Sequence, residues 1–441
     1  MLAAAGLFAA NGVAPGDRVA ICAPNTHHWV IAALGALTAG ATLVPVNTRF
    51  TAAETADILE RTHARALVVV GEFLGRDRLK ELSELPDFVL TIEVDQPWRS
   101  SGHDAPAVDI TPDDVSDILF TSGTTGRSKG AMSAHRQALG VARAWAELGA
   151  VSDADRYLVI NPFFHSFGYK AGILVCLLTG ATIVPQATFH VARAAELVQS
   201  ERITVMPGPP TIFQAMLDLP GADLTTLRLA VTGAAVVPVP LVERMQREFG
   251  TVLTAYGLTE AVVATMCSAD DDAETVARTC GRATADFEVT IGDRDEILLR
   301  GPNVMLGYLD DPGATATAID SDGWLHTGDV GHLDDRGYLT ITDRLKDMYI
   351  SGGFNVYPAE VEQAIARLAG VTESAVVGAP DERLGEVGKA FVVAAGLSTE
   401  DVIAHCTRLL ANYKVPKTVE FVGELPRNAA GKVLKRVLRA R

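Results

Sequence analysis

Residues 118–130 read Ile-Leu-Phe-Thr-Ser-Gly-Thr-Thr-Gly-Arg-Ser-Lys-Gly, an apolar run followed by hydroxyl and glycine residues and then Lys129. Small side chains let backbone N–H groups approach an anion closely, and a lysine ammonium adds a mobile positive charge. This stretch predicts a polyphosphate-binding loop at the end of a buried strand. Its spacing differs from the P-loop, because Ser-Lys-Gly stands where Gly-Lys-Ser/Thr is required. A Ser/Thr/Gly run can also be a flexible connection, so the loop alone leaves both interpretations open.

The length and composition of the chain restrict its class. With 441 residues it is too long for one ordinary hydrophobic core, so we expect at least two domains. Hydrophobic residues make up 48% and charged residues 21%, as is usual for globular proteins. The formal net charge of −16 argues against nucleic acid or an anionic membrane as the main partner. Local lysine, arginine and backbone N–H groups can still bind a small acidic ligand.

Cysteine usage and apolar patterning favour a cytoplasmic location. The five cysteines are scattered without a Cys-x-x-Cys pair, which indicates neither a disulfide framework nor a structural zinc site. The N-terminus lacks the basic and apolar segments of an export signal. The most apolar stretch, 29–46, is interrupted by Gly35, Gly40 and Pro45. We therefore expect a helix under a buried strand there, and no integral membrane association.

Apolar runs alternate with helical patterns before Cys280. Thr51 and Glu54 have the spacing of a capping box at one helix start. The predicted buried strands are 18–23, 43–46, 66–70, 118–121, 157–160, 203–206, 229–232 and 252–255. The predicted helices lie near 26–38, 51–62, 133–148, 190–201 and 238–248. This alternation predicts an α/β fold in which mainly parallel sheets are covered by helices.

The pattern changes after Cys280. Short strands with Asp-Gly and Arg-Gly turn signals predict a small antiparallel or β-barrel-like section. From about Asp343 the sequence predicts a compact α+β unit, in which Pro358 begins a helix with acidic residues nearby. Strands are predicted at 374–378 and 388–394, and a further helix from Thr399. We expect a large N-terminal domain, 1–345, with two helix-covered sheets and the barrel-like section, followed by a small α+β domain, 346–441.

Further segments carry polar side chains next to predicted strands and turns. They are 161–168 (Asn-Pro-Phe-Phe-His-Ser-Phe-Gly), 256–260 (Tyr-Gly-Leu-Thr-Glu), 324–329 (Trp-Leu-His-Thr-Gly-Asp), 343–347 with 351–358, and 426–432 (Pro-Arg-Asn-Ala-Ala-Gly-Lys). Together with 121–130, and in this order, they resemble the motifs of the adenylate-forming family, which comprises acyl-CoA synthetases, carrier-protein adenylation domains and luciferases. The resemblance extends over essentially the whole chain, and six motifs in one order argue strongly against a chance match.

The resemblance implies a two-step reaction. A carboxylate first attacks the α-phosphate of ATP and gives an acyl-adenylate and pyrophosphate. A thiol then attacks the acyl-adenylate and releases AMP. Both steps concentrate negative charge on phosphate or carbonyl oxygens, so preorganised cations and N–H donors supply the rate. The expected ligands are a small-molecule carboxylic acid, ATP, Mg²⁺ and CoA, with CoA as co-substrate because no carrier-like segment is appended.

The resemblance also implies roles for the motif residues. Lys432 would bridge the carboxylate and α-phosphate oxygens, while Thr259 and Glu260 would hold Mg²⁺ through hard oxygen ligands. His165 would contact the ligands. Asp329 would accept hydrogen bonds from the ribose, with Arg344 beside it. The phosphate loop would consist of Thr121, Ser122, Gly123, Thr124, Thr125, Gly126, Arg127, Ser128 and Lys129. Adenine would lie against Tyr256, Gly257, Gly233, Ala234 and Ala235.

Two steps in one site require two sets of donors, which implies a mobile C-terminal domain. The hinge is expected at Lys346. Its rotation would withdraw Lys432 and bring Ser351, Gly352 and Gly353 towards the adenylate, where glycines leave room for the phosphopantetheine arm. The sequence leaves the oligomeric state open, with a homodimer among the alternatives.

Each of these residues also has a structural interpretation. Tyr256 can be a core aromatic, and Glu260 a helix cap. Asp329 can be a turn residue, and His165 a buried histidine. Lys432 belongs to a basic tail of the kind that is usually solvated. The ordered set of motifs favours the functional interpretation for Lys129, Glu260, Asp329, Arg344 and Lys432.

The acid is expected to be hydrophobic. Segments 165–170, 232–234 and 259–265, which should form the acyl pocket, are rich in small and apolar residues and lack an obvious acid to hold a substrate amine. Runs 117–130, 161–175 and 344–362 resemble the CoA ligases of actinobacterial steroid catabolism, which implies the methylhexahydroindanedione propanoate left after rings A and B are removed. Medium-chain fatty acids and aryl acids remain alternatives.

One departure from the family lies at the N-terminus. Family members carry a further segment before the part that matches 2–23, so we expect either a truncated form or a start assigned too late. A catalytically impaired, nucleotide-binding remnant that serves as a scaffold therefore remains an alternative. An ordinary ATPase or kinase is a further alternative, and it would release ADP instead of AMP.

Overall fold

The computed structural model describes residues 1–82, 90–94, 98, 102, 104–121, 128–233, 239–345, 347–351, 354–427 and 433–441. The chain forms two compact units. Unit 1 consists of Met1–Val289, Leu299–Leu325 and Asp335–Leu339. Unit 2 consists of Thr290–Leu298, His326–Asp334 and Thr340–Arg441. The domain boundary that we expect at residue 346 stays a prediction.

The first sheet of unit 1 has seven strands and carries the candidate phosphate loop. Across the sheet the strands are Gly307–Tyr308, Gly130–Ala134, Val115–Phe120, Thr42–Pro45, Arg18–Cys22, Ala64–Val69 and Leu90–Glu93. The last five are parallel to one another. Gly130–Ala134 is antiparallel to both of its neighbours. Thr42–Pro45 is buried along its whole length, as expected for a parallel strand covered on both faces.

The second sheet of unit 1 also has seven strands. Its order is Thr182–Pro185, Arg156–Val159, Val205–Pro207, Leu229–Gly233, Thr251–Leu258, Ala261–Met266 and Arg282–Ala283. The first five strands are parallel and the last two continue the sheet antiparallel. The carboxyl ends of parallel strands meet at one edge, which is where ligands bind in such sheets.

Helices in unit 1 connect the strands of the two sheets. They are Leu2–Ala10, His27–Thr38, Ala52–Thr62, Arg78–Glu81, His135–Leu148, Ser166–Gly168, Val175–Thr179, Val191–Ser200, Pro210–Leu217, Val239–Glu248, Ala273–Arg278 and Pro312–Ala318. The chain between Ser166–Gly168 and Val175–Thr179 is a π-helical turn, Tyr169–Leu174. A short hairpin, Glu72–Phe73 with Arg76–Asp77, stands apart from the sheets.

One apolar core joins both sheets of unit 1. It contains Val19 and Leu43 from the first sheet together with Tyr157 and Leu229 from the second. Trp29 is fully buried in this core, and its ring lies 5.4 Å from the ring of Phe163 and 6.1 Å from that of Tyr169. These aromatic contacts fix the segment that carries His165 against the helix His27–Thr38.

Among its described residues, unit 2 contains most of a four-stranded sheet and a five-stranded sheet. The four strands are Glu288–Ile291, Glu296–Arg300, Leu325–Leu333 and Leu339–Arg344. The five are Phe354–Val356, Tyr349–Ser351, Gly385–Ala394, Val371–Asp381 and Thr418–Phe421. The helices are Pro358–Ala366, Thr399–Leu409 and Lys435–Arg439, with short 3₁₀ turns at Asp293–Asp295 and Asn412–Lys414.

The predicted α/β fold is confirmed. Each strand and helix predicted before Cys280 has a counterpart, within a few residues at its ends. The capping box is present, because Glu54 N–H donates to Thr51 Oγ1 over 3.2 Å and Thr51 N–H donates to Glu54 Oε2 over 2.7 Å. The apolar stretch at 29–46 forms a helix and a buried strand, and within the described ranges no helix is long and apolar enough to cross a membrane.

A buried ion pair joins three elements of unit 1. Lys170 Nζ lies 3.0 Å from Asp117 Oδ1, and both side chains are almost fully buried. The same ammonium donates to Ser133 Oγ over 2.7 Å, while Ser116 Oγ donates to Asp117 Oδ2 over 2.6 Å. The pair therefore ties the π-helical turn to the strands that precede and follow the candidate phosphate loop.

Replacing Lys170 with methionine should lower the free energy of unfolding of unit 1 by about 3–5 kcal/mol, because the Asp117 charge would remain buried without its partner. The double variant K170M/D117N should recover part of this loss, since no uncompensated charge remains. Urea unfolding followed by tryptophan fluorescence measures both. Arg193→Met is the control, because it removes an exposed pair with Glu196 and should cost less than about 1 kcal/mol. K170M and R193M proteins of equal stability would contradict the role of the buried pair.

Candidate active site

The base of the candidate phosphate loop is closed by the backbone. Thr121 N–H donates to the carbonyl oxygen of Lys129 over 2.9 Å. The next residue, Gly130, begins the antiparallel strand, and a Cβ there would lie 2.9 Å from Ile118 Cγ2, so a side chain would disturb this close approach. Residues 122–127, which we predict to bind phosphate, lie outside the described part of the chain.

An arginine from a distant helix holds the far end of the loop. Arg61 Nη1 donates to the carbonyl oxygen of Ser128 over 2.7 Å, and its guanidinium lies 5.0 Å from the centre of the Phe120 ring. Asp57 on the same helix pairs with Arg61 at 3.3 Å. Sequence reasoning missed Arg61, because nothing in Ala52–Thr62 apart from an ordinary helical charge pair distinguishes it.

Tyr308 contacts two of the predicted site residues. Its hydroxyl donates to Glu260 Oε1 over 2.7 Å, and Lys129 Nζ lies 4.9 Å from the centre of its ring. Burial and the neighbouring Glu260 charge raise the pKa of Tyr308, so the hydroxyl stays a hydrogen-bond donor. The structure thus brings Lys129 and Glu260 to one tyrosine, which the sequence did not single out.

Thr259 and Glu260 form the connection of an antiparallel hairpin. They link Thr251–Leu258 to Ala261–Met266, with Leu258 paired to Ala261. The register shifts between Tyr256 and Leu258, and a Cβ on Gly257 would lie only 2.3 Å from Val263 N. This irregularity requires glycine. The hairpin, and not a helix, therefore sets the direction of Glu260.

The predicted adenine-side residues lie near the ends of neighbouring parallel strands of the second sheet. Gly233 pairs with Ala255, and a Cβ on Gly233 would lie 2.3 Å from the Ala255 carbonyl oxygen. The next residue, Tyr256, is 8% exposed. The strand ends thus bring Gly233 near Tyr256. Ala234 and Ala235 lie outside the described residues.

The oxygen donors at this place fit Mg²⁺. The Glu260 carboxylate and the Thr259 hydroxyl are hard ligands of the kind that this ion prefers. Within the ranges that the structure describes, no three His, Cys, Asp or Glu side chains cluster as they would around a metal held by protein alone. A single carboxylate suits Mg²⁺, which is usually bound through one or two carboxylates and substrate phosphates.

His165 lies at the start of the short helix Ser166–Gly168. Its Nδ1 accepts the backbone N–H of Phe167 over 3.2 Å, which requires an unprotonated nitrogen and leaves the proton of the neutral ring on Nε2. The preceding loop is fixed by buried Asn25, whose amide donates to the Asn161 carbonyl oxygen and accepts from Phe163 N–H. Asn25 was not predicted, because it lies far away in the sequence.

The predicted ribose-side residues meet in unit 2. Arg344 Nε lies 2.9 Å from Asp329 Oδ1, and Asp329 is only 5% exposed. The part of the strand before Asp329 is held by Glu296, whose Oε1 accepts Gly328 N–H over 2.9 Å and whose Oε2 lies 2.9 Å from His326 Nδ1. Asp329 lies within the strand Leu325–Leu333, so it is not an ordinary turn residue.

Four further predicted residues lie outside the described ranges, namely Lys346, Gly352, Gly353 and Lys432. Their described neighbours are ordered by pairing. Ser351 pairs with Phe354 in an antiparallel register. Arg427 forms an isolated bridge with Val433, and Leu434 N–H donates to the Pro426 carbonyl oxygen over 2.7 Å. The roles of these four, like those of the other predicted site residues, remain predictions.

Comparison with known proteins gives concordant matches. Residues 2–309 match the AMP-binding enzyme model, and residues 360–432 match the AMP-binding enzyme C-terminal domain model. The chain is 60% identical to the 3-(7a-methyl-1,5-dioxo-octahydro-1H-inden-4-yl)propanoyl:CoA ligase of Rhodococcus jostii strain RHA1, over 99% of this chain and 91% of that protein. It is 58% identical to the ligase of the same name from Mycobacterium tuberculosis H37Rv, with the same coverage.

A solved structure agrees with these relatives. The o-succinylbenzoate-CoA synthetase of Bacillus subtilis, in complex with ATP and a magnesium ion, superimposes with a TM-score of 0.87 at 29% identity, covering 98% of this chain and 91% of that one. The family models, the relatives and the fold agree with one another. The chain belongs to the AMP-binding enzyme family.

Proposed function

We propose that the protein is an AMP-forming acid–CoA ligase, which activates a carboxylic acid as its acyl-adenylate and transfers the acyl group to CoA. The observation that supports this proposal most directly is that Lys129 and Glu260 both contact Tyr308. Lys129 lies at the end of the loop that follows the strand Val115–Phe120. Beside a glycine-rich loop, a lysine cation would bind the phosphates of a magnesium-bound triphosphate, and a carboxylate would bind its Mg²⁺. Family membership supports the same reaction.

The first step needs positive charge around the α-phosphate. Lys129 and the backbone N–H groups of the loop would hold the β- and γ-phosphates. Lys432 would draw the acid's carboxylate and the α-phosphate together and offset the charge that develops during attack. Preorganised donors of this kind each contribute about 10²–10³-fold to the rate.

Glu260 and Thr259 would hold Mg²⁺ in this step. The ion would supply charge neutralisation on the phosphates. The hairpin sets the direction of the carboxylate, and the Tyr308 hydrogen bond occupies one of its oxygens. The other oxygen would serve the metal.

Asp329 and Arg344 would position the ribose. Asp329 pairs with Arg344, and an ionised carboxylate has about four acceptor sites, so it would accept hydrogen bonds from the ribose hydroxyls beside this pair. Tyr256 would stack on adenine, beside Gly233. These contacts would fix the nucleotide and thereby the direction of attack on its α-phosphate.

The second step requires different donors. Rotation at Lys346 would remove Lys432 and present residues 351–353, whose glycines leave a path for the CoA arm. The CoA thiol would then attack the acyl carbonyl carbon, and the C–O bond to AMP would break. AMP leaves with the oxygen that came from the carboxylate.

We further propose the bicyclic propanoate with a methylated indanedione skeleton as the acid. The relatives from Rhodococcus jostii and Mycobacterium tuberculosis, at 60% and 58% identity, both carry names with this acyl group. Residues of the expected acyl segments are small or apolar, such as Ala261 and Val262, and both are buried. Lys170 is the cation in these segments, and Asp117 compensates its charge, which favours an uncharged acyl body.

Replacement of Lys432 by alanine should slow acyl-adenylate formation by about 10²–10³-fold, because a donor to the developing charge is lost. Thioester formation from supplied acyl-adenylate should be spared, since Lys432 would be withdrawn in that step. Single-turnover assays measure the steps separately. Arg436→Ala, an exposed cation of the same tail, is the control and should affect neither. Equal losses in both steps would show that Lys432 is not specific to adenylation.

The substrate is tested by CoA-dependent AMP release with a panel of acids. We expect the bicyclic propanoate to give a kcat/KM about tenfold or more above those of medium-chain fatty and aryl acids, because a shaped apolar pocket discriminates on this scale. A preferred fatty or aryl acid would overturn the substrate assignment and keep the reaction. ATP binding without turnover of any acid would indicate the scaffold, and ADP release an ATPase or kinase.

A further inference from the structure

Tyr308 contacts two residues of opposite charge, Lys129 and Glu260. The proposed function assigns the first to phosphate and the second to Mg²⁺. Its ring faces the Lys129 ammonium at 4.9 Å, while its hydroxyl donates to Glu260 Oε1 over 2.7 Å. A cation over an aromatic face is attracted by the ring quadrupole, and a hydroxyl donor orients a carboxylate. One side chain thus satisfies both charges by different means.

The backbone around Tyr308 is tied to both sides. Tyr308 pairs with Ala131 in the strand that follows the loop, and Leu309 N–H donates to the Gly130 carbonyl oxygen over 2.8 Å. Met305 N–H donates to the Glu260 carbonyl oxygen, also over 2.8 Å. The segment 305–309 therefore braces the loop end against the Glu260 hairpin, which fixes the position of the ring.

The arrangement matters because a lysine and a carboxylate in one neighbourhood attract each other. Lys129 has a long flexible side chain, and a direct pair with Glu260 would neutralise the charge meant for phosphate together with the charge meant for the metal. The Tyr308 ring gives the ammonium another partner. Its hydroxyl holds one Glu260 oxygen and leaves the second one available.

We propose that Tyr308 is a positioning residue that keeps Lys129 and Glu260 from pairing and presents each to the nucleotide and its metal. This inference rests on the proposed function, since it takes Lys129 and Glu260 as the phosphate and Mg²⁺ contacts. The two parts of the Tyr308 side chain have different roles. The ring engages Lys129, and the hydroxyl orients Glu260.

The first test separates the hydroxyl from the ring. ATP is titrated calorimetrically into the full chain, without acid or CoA, once with saturating Mg²⁺ and once with EDTA, and the ratio of the two dissociation constants measures the coupling between metal and nucleotide. Tyr308→Phe should reduce this ratio about tenfold, because outer contacts to a metal ligand typically change metal affinity by about 10–100-fold.

Tyr338 supplies a matched control within unit 1. Its hydroxyl donates to Asp271, and the guanidinium groups of Arg336 and Arg282 lie over its ring at 4.6 and 5.1 Å. It therefore has the same kinds of contact as Tyr308 but no proposed ligand. Tyr338→Phe should leave the coupling ratio unchanged. A Tyr308→Phe ratio equal to that of the wild type would overturn the role of the hydroxyl.

The second test addresses the ring through a double-mutant cycle. Tyr308→Leu should weaken ATP binding in EDTA, because Lys129 becomes free to pair with Glu260. Adding Glu260→Gln removes the competing carboxylate, so it should improve ATP binding more in the Y308L background than in the wild type. Equal improvements in both backgrounds would overturn the role of the ring.

The outcomes distinguish this inference from the proposed function. If the wild type shows no Mg²⁺-dependent ATP binding, the proposed function fails. If the wild type shows it and the Tyr308 variants behave like the Tyr338 control, the inference alone fails. Melting temperatures report folding, and should Y308L not fold, the Y308F titration still decides the role of the hydroxyl.

Discussion

A charge pair shielded from water fixes the place where this enzyme would hold its nucleotide. Taking an ammonium and a carboxylate out of water is costly, and the cost is offset only when geometry and additional hydrogen bonds are good. Lys170 and Asp117 each have one additional hydrogen bond, because the Lys170 ammonium donates to Ser133 and Ser116 donates to the Asp117 carboxylate. The pair ties the two strands that flank the candidate phosphate loop to the π-helical turn after His165. A loop can present N–H groups to phosphate only if its ends are held, so phosphate binding by the candidate loop would depend on this buried pair.

The two units treat charge in different ways. In unit 1, Lys129 and Glu260 both contact Tyr308, which under the proposed function would leave each able to bind the nucleotide or its metal. In unit 2, the nearly buried Asp329 is paired with Arg344, because an isolated carboxylate would be costly there. In the proposed function, the separate charges of unit 1 would bind a charged metal–phosphate ligand. The compensated charge of unit 2 would instead bind the neutral hydroxyls of ribose.

Local signals in the sequence were sufficient for most of the fold. Continuous apolar runs between amphipathic helices indicated parallel strands, and Thr51 with Glu54 marked a helix start through contacts three residues apart. The strand Gly130–Ala134 was not predicted, because its small residues lack the β-branched and aromatic side chains typical of strands. The contacts of Arg61 with Ser128 and of Tyr308 with Glu260 join residues 67 and 48 positions apart. No local pattern encodes such contacts, so these residues become visible only when the sheet order is known.

The acyl-adenylate is tested most directly by following oxygen from the acid. The acid that gives the highest rate is labelled with ¹⁸O in both carboxylate oxygens and incubated with the enzyme, ATP, Mg²⁺ and CoA, and the nucleotide product is analysed by mass spectrometry. The account predicts AMP that carries one ¹⁸O atom, with unlabelled pyrophosphate, because the carboxylate oxygen that attacks phosphorus leaves with AMP. Unlabelled AMP, or ADP with labelled phosphate, would contradict it.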